Sequence, residues 1–96
     1  MNDIDEIKAS LTQHKVELEN KYKVKKLGIF GSYARGEQSK DSDIDILVEF
    51  ESPIGLEFID LADELEKILN KKIDLVSANA IKPRLKKYIL QDITYV

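Results

Sequence analysis

Apolar positions recur along the chain with two different periods. Ile4, Ile7, Leu11 and Leu18 are spaced by three, four and seven residues with polar residues between them, which places them on one face of a helix. Asn2 or Asp3 supplies the expected N-cap, and Asp5 and Glu6 fall in the first turn, where acids suit the helix dipole. His14 lies on the apolar stripe and reads as a partly buried packing residue. Val24, Leu27, Ile29 and Phe30 then predict a strand over residues 24–30, ended by Gly31. Ser32 to Glu37 reads as a turn into a short helix, and Gln38 to Ser42 as a polar loop. Ile44, Ile46 and Val48 alternate with Asp43, Asp45 and Leu47, the two-residue period of a strand with different faces.

Ser52-Pro53 and Gly55 break the pattern. Leu56 to Asn70 is the clearest amphipathic helix, with Phe58, Ile59, Ala62, Leu65, Ile68 and Leu69 as its expected buried face. Ile73 to Val76 predicts a third strand. A last helix is expected from about Pro83, a favoured first-turn residue, to Leu90, and a short terminal strand over residues 93–96. This alternation predicts an α/β (α+β-like) fold, a small mixed sheet packed with helices, in one domain over residues 1–96. It does not determine the order of the strands.

Composition narrows the function. A net charge of −3 without long runs of one sign counts against a nucleic-acid partner. No cysteine and a single histidine exclude thiolate and multi-histidine metal sites. No apolar stretch approaches the roughly 20 residues that span a bilayer, and the first ten residues lack the apolar core of a signal peptide. The cytoplasm is the expected compartment.

The chemistry concentrates in Gly31-Ser32-Tyr33-Ala34-Arg35-Gly36, followed by Ser42-Asp43-Ile44-Asp45. A strand that ends in Gly-Ser and turns into a helix lets the backbone approach a phosphate and offers it free N–H groups. Asp43 and Asp45, two apart on a strand, share a face, and such paired like charges are costly unless a cation neutralises them. Carboxylate oxygens suit magnesium. Asp74, set between Ile73 and Leu75, joins them if the third strand pairs beside the second. Arg35 reaches a phosphate or, alternatively, holds the loop through Asp41 or Asp43. Ser42 bonds a neighbouring carboxylate or caps the loop, and Tyr33 is read as packing. Lys82, Arg84, Lys86 and Lys87 form a basic patch on the last helix, read as a solvated face favoured by the dipole, with a partner's acidic surface or nucleotide phosphates as the functional alternative.

Gly31-Ser32, ten residues, then Asp43-Ile44-Asp45 resembles the signature of the DNA polymerase β-like nucleotidyltransferase superfamily. With Ile73-Asp74-Leu75-Val76 and the short chain, it looks most like the minimal branch, the MNT-domain antitoxins, from about Val24 to Val96. The resemblance implies a polymerase β palm-like core and ATP as substrate. It implies Asp43, Asp45 and Asp74 as catalytic ligands of two magnesium ions, with Gly31 and Ser32 at the phosphates; Arg35 and Ser42 complete the expected nucleotide-binding set. It further implies transfer of AMP to a protein, a tyrosine of a helical HEPN-type toxin. A chain this short leaves no second domain to hold a small acceptor, which favours a protein acceptor. The alternatives are a non-catalytic toxin-binding module and transfer to a small molecule or RNA.

Overall fold

The computed structural model describes residues 3–96, so an N-cap at Asn2 lies outside the described residues. In chain order the elements are α1 (Asp3–Tyr22), β1 (Val24–Phe30), α2 (Ser32–Arg35), β2 (Ile44–Phe50), α3 (Glu57–Leu69), β3 (Ile73–Ser77), α4 (Pro83–Asp92) and β4 (Thr94–Tyr95). The strands form one mixed sheet in the order β3-β2-β1-β4. β1 is antiparallel to β2 and to β4, whereas β2 and β3 run parallel. A parallel neighbour needs a crossover rather than a hairpin, and α3 provides it.

The alternation read from β2 separates the two faces of the sheet. Ile44, Ile46, Val48 and Phe50 are buried against α1 and α3, in a core with Leu11, Leu18, Leu27, Ile29, Leu61 and Leu65. Asp45, Leu47 and Glu49 face the other way, where α4 lies over part of the sheet and encloses a cavity lined by Lys26, Leu47, Lys86, Leu90 and Tyr95. Strand β1 does not alternate cleanly: Val24 and Leu27, three apart, are both buried. A register shift between Val24 and Lys26 explains this, because the extra residue of a bulge restores Leu27 and Ile29 to the core face.

Helix α3 departs from the expected buried face. Leu65 is fully buried, but Ile59 is 58% exposed and Leu61 is the second fully buried residue of the helix. Phe58, Ile68 and Leu69 pack at the margin of the core. Apolar side chains occur on more than one side of this helix, so periodicity identified it without orienting it. It begins at Glu57 and ends with Asn70 in the left-handed conformation, a common helix stop. α4 extends to Asp92, two residues beyond the expected end, with Pro83 at its start.

Candidate functional site

Parallel pairing of β2 and β3 brings the acids together. Asp45 is directly opposite Asp74, and Ile44 opposite Ile73. The backbone N–H of Ile44 also donates to the Lys72 carbonyl at 2.9 Å, which fixes the start of β2 against the start of β3. Asp43 is exposed, one residue before β2, while Asp45 is half-buried and Asp74 exposed. The Asp45 carboxyl is pushed up to about 6, first by burial, then by the charge of Asp74 and a hydrogen bond with it, and then by Asp43; Arg35 pulls weakly the other way.

The glycine turn is built onto this pair. Phe30, the last residue of β1, is opposite Asp45, and Gly31 follows with φ 74 and ψ −149. That backbone conformation is essentially restricted to glycine. A Cβ on Gly31 would overlap the Asp45 carboxylate, so the turn packs its bare backbone against the acid. Ser32 opens α2, a single turn whose first N–H groups have no partner within the helix. One turn of helix has little macrodipole, so any anion affinity here comes from these N–H groups. Tyr33 is buried, as expected of a packing residue. His14 is half-buried on α1, where its Nδ1–H donates to the Ser10 carbonyl at 2.9 Å.

Two residues of the expected nucleotide-binding set are engaged elsewhere. Arg35 donates from Nε to Glu37 at 2.9 Å and from Nη1 to Asp92 at 3.1 Å, rather than pairing with Asp41 or Asp43. It thereby ties α2 to the end of α4. Ser42 closes its own loop: its Oγ accepts from the Ser39 N–H at 2.8 Å and lies 3.1 Å from Ser39 Oγ. The cations of α4 also need a different explanation from helix-dipole support. Lys82 is the N-cap and Arg84, Lys86 and Lys87 follow within the first half of the helix, where the dipole opposes positive charge. Asp92, at the unfavourable C-terminal end, is offset by Arg35. An acid in a last turn that lacks a base was the available sign that Asp92 needs a partner.

The residues fit a divalent cation in chemistry more than in finished geometry. Among the described residues no three acidic or histidine side chains are already closed into a ligand group. Asp45 and Asp74 are nevertheless adjacent hard oxygen donors, and burial first, then the charges of Asp74 and Asp43, raise the Asp45 carboxyl. The larger cavity, about 520 Å³ and lined by apolar residues such as Phe50, Ile54 and Phe58, lies at the other ends of β2 and β3 and is no part of this cluster.

The chain belongs to the nucleotidyltransferase domain family, whose model matches residues 11–96. It is 45% identical over 94 aligned positions to the protein adenylyltransferase MntA of Thermococcus cleftensis, with 97% of this chain and 95% of that protein covered. A candidate protein adenylyltransferase of Methanocaldococcus jannaschii is 55% identical over 98 aligned positions, with both chains fully covered. Among solved structures, one described as a toxin-antitoxin with AMP-PNP is similar with a TM-score of 0.73 and 26% identity, over 99% of this chain and 72% of that one. The chain is a nucleotidyltransferase of the minimal type.

Proposed function

We propose that this nucleotidyltransferase moves AMP from ATP to a protein, a tyrosine hydroxyl of a cognate helical HEPN-type toxin, and so acts as an antitoxin. The observation that carries the reading is Asp45 opposite Asp74 on paired strands, with the bare backbone of Gly31 against Asp45. The names of the relatives, protein adenylyltransferase and toxin-antitoxin with AMP-PNP, support the protein acceptor.

In this reaction the acceptor oxygen bonds to the α-phosphorus of ATP, the bond from that phosphorus to the bridging oxygen breaks, and pyrophosphate leaves with that oxygen. Asp43, Asp45 and Asp74 are the residues suited to hold magnesium, which when bound supplies charge stabilisation at the phosphates and a more acidic acceptor hydroxyl. Gly31 and the N–H groups opening α2, with the Ser32 hydroxyl, hold the triphosphate. Asp74, the more exposed of the strand pair, accepts a hydrogen bond from the acceptor hydroxyl and takes its proton.

The test uses ATP labelled on the α-phosphate or on the γ-phosphate, with magnesium and the cognate toxin. The α-label should remain on a toxin tyrosine while the γ-label leaves as pyrophosphate. Retention of the γ-label would make the protein a kinase, and retention of neither would remove the toxin as acceptor.

A further inference from the structure

Helix α4 is amphipathic, yet none of its ten residues is buried. Leu85 is 51% and Tyr88 67% exposed, three residues apart on one ridge. Lys82, Arg84 and Lys87 are exposed around them, and none of these cations forms an ion pair among the described residues. They are concentrated on one half of one helix in a chain of net charge −3, in the half where the dipole opposes them. Neither packing nor helix stability accounts for this face.

We propose that the ridge of Leu85 and Tyr88, rimmed by Lys82, Arg84 and Lys87, is where the acceptor protein docks, through a complementary patch that is apolar at its centre and acidic around it. This rests on the reading of the chain as a protein adenylyltransferase. An apolar centre with a charged rim is the anatomy of a protein interface, whereas a nucleic acid selects a continuous basic surface and is repelled by net negative charge. The position suits an acceptor. The inner side of α4 places Lys86 and Leu90 over the sheet face that carries Asp45 and Asp74, and its far end is tied through Asp92 to Arg35, one turn from Gly31 and Ser32. A protein seated on the outer ridge is therefore held on the helix whose far end adjoins the glycine turn.

The test compares the full chain with two variants, Arg84→Glu/Lys87→Glu and Leu85→Ala/Tyr88→Ala, using as probe the purified HEPN-type toxin proposed above as the acceptor. Complex formation is measured by calorimetry, and AMP transfer separately. Both variants should bind the toxin at least about tenfold more weakly, with ATP affinity and melting temperature close to the parent, because truncated anchors and reversed rim charges act on the interface alone. Parent binding should weaken with added salt. Unchanged toxin affinity in both variants overturns the docking face while leaving the transferase reading intact. A parent that binds toxin through this face but transfers no AMP sinks the transferase reading and keeps the face. A parent that does not bind the toxin at all overturns the inference. A labelled single-stranded RNA forms the remaining arm: if the charge reversal abolishes RNA binding and leaves toxin binding unaffected, the face belongs to RNA and the proposal fails.

Discussion

Asp45 and Asp74 are neighbours across the strands, but their surroundings differ. Asp45 is half-buried beneath Gly31 and Asp74 is exposed; in the proposed reaction Asp45 serves the nucleotide and Asp74 meets the acceptor. Asp74→Asn should therefore reduce AMP transfer by roughly a hundredfold or more, the usual effect of losing an electrostatic stabiliser of the transition state. ATP affinity by calorimetry should stay near the parent value, since an interaction made only in the transition state does not hold the ground state. An equal loss of both would move Asp74 to the nucleotide. Gly31 makes a further demand at this scale. Its backbone conformation and its closeness to Asp45 mean that Gly31→Ala should cost about 1–3 kcal/mol of stability by urea titration, as well as disturbing the acid. A variant as stable as the parent would show that the turn relaxes freely and that the conformation is not enforced.

At the scale of elements, α3 shows how little of a helix's orientation is contained in its period. Leu61 and Ile59 are both aliphatic and only two residues apart, but one is fully buried between the sheet and α1 and the other is exposed to solvent. Leu61→Ala should destabilise the fold by about 2–5 kcal/mol, the range for an aliphatic side chain removed from a packed core. Ile59→Ala should stay within about 0.5 kcal/mol of the parent. Chemical denaturation of the two variants measures this directly, and similar losses would mean that the helix is rotated from its described position. Helix α4 is the opposite case. Its period and its first-turn proline were legible in the sequence, but its charges run against the dipole, and only contact with Arg35 and the sheet face gives Asp92 and Lys86 their setting.

For the whole molecule, the acid cluster makes stability depend on pH in a definite direction. The Asp45 carboxyl, raised from 3.8 to about 6, holds its proton more tightly in the folded than in the unfolded chain. Its favourable contribution is therefore complete below about pH 3.8 and is lost as pH rises through about 6, where the folded chain must carry the clustered negative charge. Asp45→Asn removes that charge, so it should raise the melting temperature relative to the parent above about pH 7, and the difference should shrink towards about pH 4. In the proposed site magnesium competes with the proton for the same oxygens, so its stabilising effect on the parent should also grow as pH rises through about 6. Thermal melts across this range, with and without magnesium, test both statements. A difference between variant and parent that stays constant with pH would remove Asp45 as the titrating group.

The sequence by itself determined the type and order of the elements, because period and turn residues are local properties: helix spacing in α1 and α3, alternation in β2, Gly31 at the end of β1, Pro83 at the start of α4. It also named the acids and the glycine turn, since Gly-Ser followed at a fixed interval by Asp-x-Asp lies within one short stretch of chain. What the sequence left conditional was whether Asp74 joins Asp45. That depends on β3 pairing parallel with β2 after the α3 crossover, a choice between sheet edges that no local pattern encodes. The bulge in β1, the partners of Arg35 and the loop role of Ser42 were likewise decided in the folded molecule. The physical reason is the same for each: hydrogen bonds and ion pairs between segments far apart in the chain form only after packing brings the segments together, so spacing along the sequence does not record them.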